Sequence, residues 1–334
     1  MNLVPPSYFD LVRTLHLDPL VRASKDGDAL HGLEDRLGAQ YVAQRLAIER
    51  DHEAQILGKG PHLFDLENRY AVLAIRAVLW LTGLHGRGRR NALSIEVRAH
   101  DASVRNLPKA FEGFTILHLS DLHIDITADF AGALIDTIGP LQYDLCVLTG
   151  DYRARTFGPY DAALAGMERL RPHIRSAAYA VLGNHDTIRM VPAMEAMGFR
   201  FLINESVTIE RDGEKLYVGG IDDAHFYSLE NYQSAAHEIP KGAASILLSH
   251  TPEAYRQAAH TGFDLMLCGH THGGQICLPG GIPILTEGSP RRLARGAWRY
   301  HDMVGYTSVG CGTCYIDVRL NCRPEVTLHR LRAA

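Results

Sequence analysis

The sequence predicts an α/β protein: a two-sheet β-sandwich flanked by helices, preceded by an N-terminal helical extension. Three observations lead there. Residues up to about 90 carry helical periodicity and polar links. From residue 93 onward, short apolar runs of strand length alternate with segments of helical period. Mixed strands and helices of this kind bury their apolar faces in layers, sheet on sheet with helices outside. Two regions follow, 1–91 helical and 92–334 holding the sandwich. The chain has 334 residues, 46% hydrophobic and 22% charged, which suits one large domain with an appended segment. A net charge of −4 gives no reason to expect a nucleic-acid partner.

Taken in order, Met1 to Phe9 lacks the basic, apolar and small-residue arrangement of a secretion signal, and no lipidation motif is expected at either end. Leu30, Leu33, Leu37 and Tyr41 follow a helical period, which Gly58-Lys59-Gly60-Pro61 breaks. Tyr70 to Leu81 is a second, apolar helix. Spanning a bilayer takes about 20 apolar residues, and Arg76 interrupts this shorter run. Three readings stay open for it: a helix packed on the following domain, a dimer face, or a helix in the plane of a membrane over residues 70–90. In the last, Trp80 and the arginines at 87, 89 and 90 meet the headgroups.

Leu93, Ile95 and Val97 alternate with polar residues as in a half-buried strand. Phe130 to Leu141, Tyr160 to Leu170 and Val191 to Met197 read as crossover helices. Phe201 to Ile203, Val207 to Ile209 and Leu216 to Val218 read as hairpin strands, and Tyr306 to Val309 and Val326 to Leu328 as later strands. Of six cysteines, Cys146 and Cys268 lie inside strand-like runs and read as small buried apolar groups. Cys311-Gly312-Thr313-Cys314 has redox or zinc spacing, with Cys322 nearby. A closed zinc site needs about four ligands, so reduced thiols in a reducing cytoplasm are the simpler expectation, with peripheral contact at the inner membrane face if the helix at 70–81 lies in the membrane plane.

Five of the apolar runs end in groups that bind metals. They lead into Asp121-Leu122-His123, Gly150-Asp151, Gly183-Asn184-His185-Asp186, His250 and Gly269-His270-Thr271-His272-Gly273-Gly274-Gln275. Loops that follow parallel strands gather on one edge of a sheet, so ligands distant in sequence meet there. Asp121 and His123 share an i, i+2 spacing, as do His270 and His272, which at a strand end points both side chains one way. Two Asp, one Asn and four His are too many ligands for one ion and suit two, with a carboxylate such as Asp151 able to bridge them. The mixed nitrogen and oxygen set fits Mn, Fe or Zn better than Ca or Mg. Two such ions clamp the attacking and leaving oxygens of a phosphoryl centre and activate a bridging hydroxide. His185 is placed to protonate the leaving oxygen, with Asp186 holding its orientation. Arg153 and Arg155 either fork onto a substrate phosphate or lie on the surface beyond the site. Gly220-Ile221-Asp222-Asp223 with His225 reads as a solvated turn or as a loop behind the site.

At these residues the chain resembles the calcineurin-like metallophosphoesterase family, whose pattern is D-x-H, G-D, G-N-H-D/E, H and G-H-x-H, over about residues 113–330. The resemblance implies the double sandwich. It implies one cation on Asp121, His123, Asp151 and His272 and a second on Asp151, Asn184, His250 and His270, with His185 as the catalytic histidine. The stretch from His270 is similar to bacterial phosphodiesterases carrying G-H-T-H-G-G-Q-I-x-L-P, some of which resemble the pyrophosphatases that cleave UDP-diacylglucosamine. The expected activity is hydrolysis of a phosphodiester or pyrophosphate, the substrate extending to a phospholipid or nucleotide-linked lipid. The alternatives are a phosphomonoesterase or protein phosphatase, and a scaffold that keeps the fold without catalysis.

Overall fold

A computed structural model describes residues 30–58, 69–284 and 289–334. Met1 to Phe9 and Lys59-Gly60-Pro61 lie outside the described residues. Residues 30–37 are helical, Gly38 turns at φ 90°, and α1 (Ala39–Gly58) follows. Next come α2 (Arg69–Leu81), α3 (Leu84–Ala92), β1 (Glu96–Val104), β2 (Thr115–Leu119), α4 (Phe130–Ile138), β3 (Leu145–Thr149) and α5 (Asp161–Leu170). They are followed by β4 (Ala178–Val181), α6 (Val191–Ala196), β5 (Phe199–Phe201), β6 (Glu205–Arg211), β7 (Glu214–Gly220), α7 (Tyr232–Ala236), β8 (Ser245–Leu248) and α8 (Tyr255–Thr261). The rest is β9 (Leu265–Cys268), the short pair β10 (Cys277–Leu278) and β11 (Ile282–Pro283), then β12 (Gly296–Tyr300), β13 (Met303–Thr307) and β14 (Glu325–Ala333).

The strands form two six-stranded sheets, β1-β14-β2-β3-β4-β5 and β12-β13-β9-β8-β7-β6. β2 to β5 run parallel, as do β7, β8, β9 and β13. Parallel neighbours need crossover helices, and both faces of each sheet are then covered. This is why the ligand-bearing runs are apolar throughout rather than alternating. Between the sheets lie Ile116, Leu145, Val147, Val181, Val218 and Ile246 among other buried side chains. The outer face of the first sheet packs α4, α5 and α6, and the same core takes in Leu30, Leu33 and Val42 from the N-terminal helices. The outer face of the second packs α7 and α8. The two-sheet sandwich with flanking helices is as the sequence predicts.

Two local expectations change. Phe201 belongs to β5, parallel to β4 in the first sheet; only β6 and β7 form the hairpin. A three-residue apolar run carries too little pattern to choose its sheet. Leu93 caps α3 and the strand starts at Glu96, on a sheet edge where Val97 stays 46% exposed.

Helix α2 divides its apolar residues between two faces. Val72, Ile75 and Leu79 pack against Ile316, Val318 and Leu320. Leu73, Val78, Trp80 and Leu81 face outward, Trp80 at 70% and Leu81 at 88% exposure. Among the described residues no helix is long and apolar enough to cross a membrane.

Candidate metal centre

The predicted ligands stand just past the ends of five parallel strands: Asp121 and His123 after β2, Asp151 after β3, Asn184 after β4, His250 after β8, His270 and His272 after β9. The structure brings all seven together. Among the clusters that form, Asp121–His123–Asp151 and Asp151–His250–His270 each have their ligand atoms within 4.8 Å of one another, and Asp151 belongs to both. His123 Nε2 lies 3.2 Å from His272 Nε2, which is 3.5 Å from Asp121 Oδ1. Asn184 Oδ1 is 2.9 Å from both His250 Nε2 and His270 Nδ1.

The convergence is not made by strand alternation, as the i, i+2 spacing suggested. Asp121, His123, Asp151, His270 and His272 all take left-handed backbone angles, with φ between 40° and 72°. For non-glycine residues that costs on the order of 1–3 kcal/mol each, and it persists where the surroundings over-determine it. Here they do. Asp121 N–H donates to Gly150 O and His123 N–H to Asp151 O, lacing the two loops together. Gly269 permits the close approach: a Cβ there would stand 1.9 Å from Ser120 Oγ and 2.2 Å from Asp121 Oδ2.

The donor set fits cations. His123 Nδ1 is 2.8 Å from Arg153 O and His250 Nδ1 is 2.7 Å from Thr149 O, so each ring gives an N–H to a carbonyl and turns Nε2 inward. His250 Nε2, Asn184 Oδ1 and Asp151 Oδ2 then face one another, Asp151 Oδ2 being 3.3 Å from His250 Nε2. His270 Nε2 is buried with no hydrogen-bond partner. Burial, with the Asp151 charge beside it, pushes Asp121 up; burial acts the same way on Asp151, but His250, His185 and His123 hold Asp151 well below the usual carboxylate range. Burial opposes a charge on His250, yet Asp151, Asp121 and Asp223 push it up to about 10. The cluster therefore draws positive charge to its centre, which is what a divalent ion supplies.

Residues 114–274 match the calcineurin-like phosphoesterase family model. These residues form a calcineurin-like phosphoesterase domain. It is 28% identical over 274 residues to the uncharacterized metallophosphoesterase YkoQ of Bacillus subtilis (strain 168), an alignment covering 78% of this chain and 100% of that one. It is 29% identical to YkuE of the same organism over 72% of this chain and 86% of that one. To the phosphodiesterase YaeI of Escherichia coli (strain K12) it is 27% identical, over 65% and 82%. Members hydrolyse phosphoesters with divalent metals.

Around the ligands of this phosphoesterase, several expectations are corrected. Asp186 does not touch the His185 ring. Its carboxylate accepts the backbone N–H groups of Asp151, Tyr152 and Gly183, at 2.8–2.9 Å, and so pins the two ligand loops to each other. The His185 ring instead meets Thr156, with Oγ1 3.2 Å from Nδ1, and Cys314, with Sγ 3.6 Å from Nε2. Burial pushes His185 down to about 3, keeping it neutral. Arg153 is buried, and its guanidinium is spent on the carbonyls of His185, Thr156 and Gly158, so it does not fork onto a phosphate; Arg155 is exposed. Asp222 and Asp223 are fully buried rather than on a solvated turn. Asp223 accepts the N–H groups of His225, Phe226 and Tyr227, and the His225 ring lies 4.4 Å from that of His270.

Two groups carried no sequence signal. Arg45 of α1 is fully buried; it pairs with Asp222 at 3.0 Å and Glu49 at 2.9 Å and donates to Asp186 O at 3.3 Å. Glu49 accepts from Thr187 Oγ1 and Ile188 N–H, so α1 grips the chain just past His185. Arg319, also fully buried, donates to the carbonyls of His272, Val309 and Gly312 and holds the last ligand loop in place. The six cysteines, all within the described residues, form no disulfide. Cys311 points to Glu325 O at 3.1 Å while Cys314 faces the metal centre, so the pair does not act as one zinc clip.

Proposed function

We propose that this chain hydrolyses a phosphodiester or pyrophosphate bond at a two-cation centre. Asp121, His123 and His272 hold one ion, Asn184, His250 and His270 the other, and Asp151 both. The observation that carries this is the membership of Asp151 in both clusters. When bound, such ions supply Lewis acidity and an activated water. The donor set suits Mn, Fe or Zn.

The chain's own groups do the rest. With Thr156 Oγ1 donating to Nδ1, His185 carries its proton on Nε2, where it hydrogen-bonds a phosphoryl oxygen and assists the departing one. Asp186, through three backbone N–H groups, keeps that loop in register with Asp151. A diester rather than a monoester is favoured by the family-level association of diesterase competence with a histidine where His123 stands, and by the relative named a phosphodiesterase.

An amphiphilic substrate, a phospholipid or nucleotide-linked lipid, is supported by a cleft of about 280 Å³ beside the centre. Ile75, Ile276, Ile284, Tyr315, Ile316 and His272 line it. The helix that supplies Ile75 exposes Leu73, Val78, Trp80 and Leu81, and Leu278, Ile282 and Ile284 are exposed on the β10–β11 hairpin. Clustered exposed apolar groups mark contact surfaces, and here the surface is a membrane from which the substrate is drawn.

Parallel assays of manganese-loaded protein on bis-p-nitrophenyl phosphate and p-nitrophenyl phosphate test the reading. Diester turnover is expected to dominate; a large excess of monoester turnover would sink it.

A further inference from the structure

Cys314 is the one thiol that reaches the metal centre. Its Sγ and the ligand nitrogens of His123 and His272 all lie within 4.8 Å of one another. Thiolate–zinc bonds are about 2.3 Å and imidazole–zinc bonds about 2.0 Å, so a sulfur and a nitrogen on one tetrahedral ion stand about 3.5 Å apart and never more than about 4.3 Å. The thiol is not loosely placed. Its backbone N–H donates to Gln275 Oε1 at 2.7 Å, and its carbonyl accepts from Gln275 Nε2 at 3.0 Å. Gln275 follows the last ligand loop directly, so the chain segment bearing the sulfur is tied to the segment bearing His272. Cys311 is turned away to Glu325 O, which leaves Cys314 to act without it.

We propose that Cys314 binds, as a thiolate, the cation held by Asp121, His123 and His272. This rests on the two-cation reading above. The sulfur–metal bond forms as the thiol proton leaves to solvent, as metal binding by cysteine requires. A thiolate makes this half of the centre softer than the all-nitrogen-and-oxygen half, and favours zinc, iron or cobalt there over manganese or magnesium. The two halves thus differ in metal preference.

Cobalt(II) reports the ligand directly. The full chain, stripped and refilled with cobalt, is expected to show a near-ultraviolet thiolate-to-cobalt charge-transfer band beside the visible bands of bound cobalt. Cys314→Ser should lose the near-ultraviolet band and keep the visible bands at unchanged metal content; Cys311→Ser should keep both. Visible bands without charge transfer in the wild type would overturn the proposal and leave the two-cation reading standing, with Cys314 serving only as a neighbour of His185. Charge transfer that survives in Cys314→Ser would also overturn it. Wild-type protein that takes up no cobalt would remove the two-cation reading, and this proposal with it.

Discussion

His185 meets the centre both through its ring and through its backbone. Its ring touches Thr156 and Cys314, while its backbone N–H donates to Asp151 Oδ1 at 2.9 Å. His185→Ala removes the first set and keeps the second. Bound metal measured by elemental analysis should be unchanged, and turnover should fall about 10²–10⁴-fold if the ring is the proton donor; turnover at the wild-type rate would end that role. At this scale the seven candidate ligands were legible because each follows the end of a strand by two to four residues. Thr156 and Arg319 were not, and Cys314 stood out only as half of a C-x-x-C pair. Each reaches the centre from a loop whose course is set by tertiary hydrogen bonds, such as Gln275 to Cys314, and no local pattern marks that. Asp186 was found as a residue and misread in its contact, because a G-N-H-D string does not say whether the carboxylate turns to the imidazole or to three backbone amides.

Among the elements, α1 connects the N-terminal region to the site. Arg45 lies 3.3 Å from the Tyr227 ring centre and between two carboxylates, with no exposure. Removing one partner of a buried ion pair leaves an uncompensated charge and costs about 3–5 kcal/mol, against about 0–1 for a surface pair. Asp222→Ala should therefore lower unfolding stability by about 3–5 kcal/mol in chemical denaturation. A loss under about 1 kcal/mol would show that the pair is wet rather than buried. The helical period at residues 30–41 was readable; its depth was not. Arg45 sits inside an ordinary polar-looking stretch, and a lone charge in sequence reads as solvated until its partner from residue 222 arrives. The same omission made Asp222-Asp223 look like a turn.

For the whole molecule, the exposed apolar face of α2 is the surface on which the proposed membrane contact rests. The sequence left that helix open between core, membrane and dimer face, and the structure splits it: Leu79 is buried at 5% exposure and Leu81 is exposed at 88%. Flotation on anionic phospholipid vesicles should recover the wild type and lose a variant carrying Trp80→Glu and Leu81→Glu, since both changes fall on the outward face. Equal flotation of the two would leave α2 as a packing helix alone. The sheet order was not legible at all, because pairing between distant strands leaves no mark on either. That order matters during synthesis. Strand β14, at residues 325–333, lies between β1 and β2, although those are the first two strands among the described residues. Until it clears the ribosome, each of them has an edge with no neighbour. The nascent chain thus carries the loops of the candidate centre nearly complete while the seam beside them stands open, and a product truncated before residue 325 would lose the strand that joins β1 to the rest of its sheet.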